Sequence, residues 1–140
     1  MARLRYTTSL GFRNNNPTNI RYDEHTKWKG QIGHRAGFCV FSGKEWAFRA
    51  TFKILFKYID RGQDSIEKII NTWAPPTENN TEAYITFVVK KTSIYRSQKI
   101  SKYNRTAMVS IVKAMCQMEC AGYTPQTNIV EIGYDLVLTE

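Results

Sequence analysis

The sequence predicts a mainly α-helical single domain with a small β-hairpin insert near its N-terminus. Three observations predict it. Four segments place apolar residues at i, i+3, i+4 and i+7 spacing. Helix-starting and helix-stopping residues bracket them. One polar, aromatic, glycine-punctuated stretch, residues 13–41, follows no helical period. A length of 140 residues with 42% hydrophobic content suits one domain with a packed core.

Residues 1–12 of the predicted domain, 1–140, read as a loosely held basic leading segment. It lacks the continuous apolar region of a secretory signal. No run approaches the ~18–20 apolar residues that span a bilayer. In the stretch that follows, Asn14, Asn15 and Asn16 precede Pro17. Asparagine bonds its own backbone, and the residue before proline is pushed out of the helical region, so turns are favoured. Residues 19–22 read as a short strand, and Gly30, Gly33 and Gly37 punctuate the rest. Trp28, Phe38 and Phe41 set flat apolar faces beside amides and arginines. That mix suits a polar, ring-shaped ligand such as a sugar. It equally suits a surface hairpin with a few core anchors.

Ser42-Gly43-Lys44-Glu45 fits a capping box opening the first long helix, which gives Glu45 a structural role. Ala47, Ala50, Thr51, Ile54, Leu55 and Tyr58 share its inward face, and Arg61-Gly62 ends it. Asp64-Ser65-Ile66-Glu67 opens a second helix, with Ile66, Ile69, Ile70 and Trp73 inward, and Pro75-Pro76 stops it. Trp73, at that helix end, either fills the core or lines a groove. A third helix spans about residues 81–91, with Tyr84, Phe87, Val88 and Lys91 on one face. Asn104 caps a fourth, about residues 105–120, striped by Met108, Ile111, Val112 and Met115. Gly122 and Pro125 end it. Thr127-Asn128 and Glu131 mark a short final helix, with Ile129, Val130 and Ile132 partly buried.

The net charge of +8 favours anionic partners: nucleic acid, acidic lipid or an acidic wall polymer. No Asp or Glu falls between residues 83 and 118, where Lys90, Lys91, Arg96, Lys99, Lys102 and Arg105 cluster. This reads as a solvated basic loop. Its rival reading, with Tyr95 and Tyr103, is a nucleic-acid-binding module. The three cysteines form no disulfide framework. Cys116 and Cys120, one helical turn apart, and the loop residues His25 and His34 lack a metal-ligand pattern. No metal or cofactor is implied.

Glu119 is four residues after Met115 and seven after Val112, so it continues the apolar stripe and points to the core side. It also lies at a helix C-terminus, where the dipole disfavours negative charge. Both effects raise a carboxyl pKa. A carboxyl that keeps its proton near neutral pH is what general-acid cleavage of a glycosidic bond requires. The bland alternative is a helix-end Glu that turns to water or pairs with a lysine.

The residues Arg13-Asn14-Asn15-Asn16-Pro17-Thr18-Asn19-Ile20-Arg21-Tyr22, Trp28-Lys29-Gly30 and Gly37-Phe38-Cys39-Val40-Phe41 resemble a family of small bacteriophage and prophage proteins, as does Trp73-Ala74-Pro75-Pro76-Thr77-Glu78-Asn79-Asn80-Thr81 with Tyr84. Those proteins are virion structural proteins or peptidoglycan hydrolases. The resemblance covers about residues 11–125. Met118-Glu119-Cys120-Ala121-Gly122 stands where that family has Glu-Asn-Gly, with Cys120 replacing the Asn and one residue intervening. A more distant likeness is to lysozyme-like glucosaminidases, in circularly permuted order. The resemblance implies a lysozyme-like helical domain that cleaves peptidoglycan glycan strands. Glu119 would be the general acid, and Asn16, Asn19, Trp28, Trp73, Glu78 and Tyr84 would bind the sugar. Glu78 and Glu45 are the candidates for a second carboxylate. It leaves open a muramidase, a glucosaminidase or a lytic transglycosylase. The implied setting is the virion, or bacterial cytoplasm with delivery to the wall by other means, and other virion proteins are implied partners. The rivals are a non-enzymatic virion or wall-binding protein, and the nucleic-acid module.

Overall fold

The computed structural model describes residues 5–140. Among the described residues it is mainly helical, with one two-stranded antiparallel hairpin. The order is α1 (Leu10–Arg13), β1 (Gln31–Arg35), β2 (Phe38–Phe41), α2 (Lys44–Asp60), α3 (Ile66–Trp73), α4 (Thr81–Thr92), α5 (Arg105–Glu119) and α6 (Thr127–Leu138).

The leading segment differs from the loose arm expected at 1–12. Residues 1–4 lie outside the described residues. From Arg5 to Thr8 the backbone makes a 3-10 turn, and Ser9 caps α1 by accepting from Phe12 N–H. Tyr6, Phe12 and Tyr123 pack ring on ring with centroids 4.9–5.2 Å apart, which ties this end to the chain after α5.

The asparagine run has a specific task. Asn15, at φ 51°, takes the left-handed position just past α1. Its N–H donates to Phe12 O and that of Asn16 to Gly11 O, the paired bonds of a Schellman cap. Asn16 is fully buried. Its Nδ2 donates to Ile20 O and Cys39 O, each at 3.0 Å, and its Oδ1 accepts from Ile20 N. It therefore braces the loop against β2 and presents no surface to a ligand, which corrects its expected role in sugar binding. Asn16→Ala is expected to lose on the order of 3 kcal/mol of stability, because three buried hydrogen bonds to the backbone are lost at once. A denaturant titration checks this.

The hairpin turns through Ala36 and Gly37, both at positive φ, as a tight two-residue connection demands. The expected strand at 19–22 is reduced to a single bridge, Arg21 to Phe38, along β2.

α2 lacks the expected capping box. Gly43 is its N-cap and makes no side-chain cap bond. The inward stripe holds for Ala47, Ala50, Thr51 and Leu55, but Phe48 and Phe52 are fully buried as well. The cause is α6, the expected final helix, which spans 12 residues and packs along the other side of α2. The helices meet at Gly133, where an added Cβ would lie 2.5 Å from Phe48 Cβ and 2.8 Å from Arg49 N.

α3 and α5 start as expected, on Ser65 and Asn104, whose side chains accept from Lys68 N and Ala107 N. Met108, Ile111, Val112 and Met115 are fully buried in the main core, with Ile66, Ile69, Ile70, Ile85 and Val88. A smaller core of Ile20, Cys39, Phe41, Ala47 and Ala50 sits beneath the hairpin. Trp73 packs against both cores.

The basic stretch is acid-free in sequence but not in space. Arg96 pairs with Glu67 and Glu82, each at 2.8 Å, Lys102 with Asp60 at 2.8 Å, and Arg105 with Glu131 and Asp135. Half of the six cations are thereby matched to carboxylates from other helices. That weakens the case for a continuous nucleic-acid surface.

Candidate active site

α5 ends on Glu119, and the way it ends fixes that side chain. Cys120 closes the helix, and Ala121 and Gly122 follow at φ 49° and 83°. Gly122 N–H then donates back to Gln117 O at 2.9 Å. Ala121 holds a left-handed conformation that β-carbons resist. Ala121→Gly is accordingly expected to raise stability by on the order of 1 kcal/mol, seen as a higher melting temperature. From the opposite side Asn19, itself at φ 57°, donates its Nδ2 to the Glu119 backbone carbonyl at 2.8 Å. The polar stretch is thus bonded to the helix end that carries the carboxylate.

Glu119 Oε2 accepts two hydrogen bonds, from Trp73 Nε1 and from Tyr84 Oη, both at 3.1 Å. Trp73 is the last residue of α3. The connection beyond it is held by Thr81 Oγ1, which donates to Ala74 O at 2.5 Å. Tyr84, on α4, is buried. Burial raises the Glu119 carboxyl above its ordinary range. The bonds from Trp73 and Tyr84 and the charge of Arg21 pull the other way without cancelling it. Burial, with Glu119 beside it, pushes the Tyr84 hydroxyl well up, so it stays a donor. Because both donors converge on Oε2, the proton of the neutral acid sits on Oε1.

Glu119 opens on a cleft of about 360 Å³ between the two cores. One wall is Trp73, Ala74, Glu78 and Asn79. The other is Asn19, Arg21, Asp23, Trp28 and Phe38, with Ile54 and Tyr58 of α2 between. Of the sequence-predicted residues, Glu119, Asn19, Trp28, Trp73 and Glu78 line this one cleft. Tyr84 reaches Glu119 from the buried side and is not part of the cleft wall, so its place is behind the acid rather than against a sugar. Asn16 lies in the brace described above. Glu45, in the first turn of α2, is not among the cleft residues.

Sequence reasoning missed Arg21, Asp23, Tyr58 and Asn79. Arg21 lies 3.8 Å from Glu78 across the cleft, both side chains mostly exposed. Asp23 caps its own turn, accepting from His25 N at 2.9 Å and Thr26 Oγ1 at 3.4 Å. Tyr58 shares the core face of α2 by spacing, yet it is only half-buried and lines the cleft. The one available signal was proximity to Asn19 in sequence, which applies to Arg21 and Asp23.

His25 is exposed beside Glu24, and His34 stacks on Tyr22 with ring centroids 3.9 Å apart. Among the described residues no group of three His, Cys, Asp or Glu side chains is placed to hold a metal ion. All three cysteines are free and buried. No described helix is long and apolar enough to cross a membrane.

No family model matches the chain. Its relationship is to a bacteriophage protein. The chain is 41% identical over 122 residues to Protein P5 of Pseudoalteromonas phage PM2, covering 84% of this chain and 74% of that protein. The chain belongs to the family of that phage protein. The phage relationship that the sequence motifs implied is therefore correct.

Proposed function

We propose that this phage-related chain is a lysozyme-like enzyme that cleaves the glycan strands of peptidoglycan, with Glu119 as general acid. The observation that carries this reading is a carboxyl of raised pKa, held by two fixed donors at the edge of a cleft walled by Trp28, Trp73 and Asn19. Aromatic faces stack on sugar rings and amides bond their hydroxyls. The leaving sugar oxygen is expelled once Glu119 protonates it. Asp23 and Glu78 also line the cleft, but one caps a turn and the other faces Arg21. A route in which the sugar's own hydroxyl attacks needs neither, so a lytic transglycosylase fits as well as a hydrolase. The net charge of +8 suits an acidic wall polymer. Such an activity would place the protein with the virion, beside other virion proteins.

A second reading, a wall-binding virion protein without activity, is favoured by Cys120. It stands where the resembled phage family has asparagine, and it is fully buried with its Sγ 3.3 Å from Ser9 Oγ.

The pH profile of dye release from labelled sacculi tests the catalytic reading. Activity should fall as pH rises through the raised Glu119 value, where the acid loses its proton. Tyr84→Phe removes a donor to the ionised form, so the alkaline limb should move to higher pH. An unmoved limb would detach Glu119 from the chemistry.

A further inference from the structure

A second groove, of about 580 Å³, shares no lining residue with the cleft. It lies between α2 and the end of α6. Arg49 is 5% exposed and projects from α2 towards Glu140. Its Nε donates to Glu140 Oε1 at 2.5 Å, and Nη2 pairs with the same oxygen. Lys53 Nζ reaches Oε2 at 3.0 Å and Lys29 Nζ lies 3.6 Å from Oε1. Three cations therefore converge on the Glu140 side-chain carboxylate. Against the opposing effect of burial, Lys53 and Arg49 pull the Glu140 carboxyl down to about 2. Trp46 and Leu136 add apolar surface beside the charges. Trp46 is pressed onto Gly30, at φ 78°, where any β-carbon would collide with the indole.

A structural ion pair needs one anion for one guanidinium. Here the carboxylate is outnumbered, and the cations surround open space. We propose that this groove is a binding site for an acidic peptide segment of a partner protein, with Glu140 as its resident occupant. The resident anion is itself a glutamate on a peptide backbone. A guanidinium fork suits carboxylates, while Lys29 and Lys53 can each take a further acidic side chain. The apolar neighbours accommodate the methylenes of such residues. Partner binding would displace Glu140 from Arg49. The inference is independent of glycan cleavage.

Calorimetric titration of the full chain with acetyl-tetraglutamate amide tests it. Wild type should bind weakly, because the resident carboxylate competes. Glu140→Gln should bind at least about tenfold more tightly, since the competent state no longer has to be opened. Lys53→Glu and Lys29→Glu should each lose binding, while Lys90→Glu, on α4, should behave as wild type. A melting curve confirms that each variant is folded. The proposal is overturned if Glu140→Gln binds no more tightly than wild type. It is equally overturned if Lys90→Glu weakens binding as much as Lys53→Glu, or if inorganic phosphate or a short single-stranded DNA binds the groove as tightly as the peptide.

Discussion

Glu119→Gln is expected to reduce glycan-strand cleavage by at least about a hundredfold while leaving the protein folded. Glutamine keeps the shape of the side chain, and its carbonyl oxygen can still accept from Trp73 and Tyr84. It cannot deliver a proton to a leaving oxygen. The same substitution has a thermodynamic signature. Burial raises the Glu119 carboxyl in the folded state, so the folded protein binds that proton more tightly than the unfolded chain does. The favourable contribution is present at acid pH and is lost as pH rises through the folded value. Above that folded value the wild type carries the burden of a partly buried charge. The variant should therefore melt no lower than wild type above it, and the difference should shrink at acid pH. A variant that is inactive because it is unfolded would be recognised at once by its melting curve.

Gly133→Val is expected to cost about 3 kcal/mol or more, read as a shift in the denaturant midpoint. In an exposed helix, replacing glycine by a residue of better helix propensity is neutral or favourable by up to about 1 kcal/mol. Here the sign reverses, because the space that a side chain needs is already occupied. A Cβ at Gly133 would fall 2.5 Å from Phe48 Cβ, 2.8 Å from Arg49 N and 2.9 Å from Phe48 C. Two of these are main-chain atoms of α2, so no rotamer change relieves the clash and the helices must separate. Separation would open the packing of Phe52 and Phe56 against Tyr134, whose ring centroids lie 5.2 and 5.9 Å away.

The helices were legible because each carries its own period and its own punctuation. Ser65, Asn104 and the Pro75-Pro76 pair mark local events that depend on little beyond neighbouring residues. The second face of α2 was passed over although Phe48, Phe52 and Phe56 repeat at four-residue spacing; what covers it, α6, lies far along the chain. Glu119 was legible because its position continues the buried stripe of α5, and its environment follows from that placement. Its donors were only half legible. Trp73 and Tyr84 stood out as a tryptophan at a helix end and a tyrosine on an inward face, but their convergence on one oxygen is a product of how α3, α4 and α5 pack. Asn16 was misread for a related reason. An asparagine in a turn looks available to ligand, and only the fold of the loop onto β2 shows its amide consumed by backbone. For Arg21 and Asp23 the local signal was only their nearness to Asn19, since the opposite wall of the cleft comes from the connection after α3.

The most direct test of the central claim is mass spectrometry of the products released from purified Gram-negative sacculi by the wild-type protein. Cleavage between sugars is predicted, giving muropeptides with intact stem peptides. The reducing end would name the bond, and an anhydro end would mark a transglycosylase. Sacculi left intact, under conditions where a control lysozyme digests them, would contradict the catalytic assignment of Glu119. Release of peptides from an uncut glycan would contradict it as well.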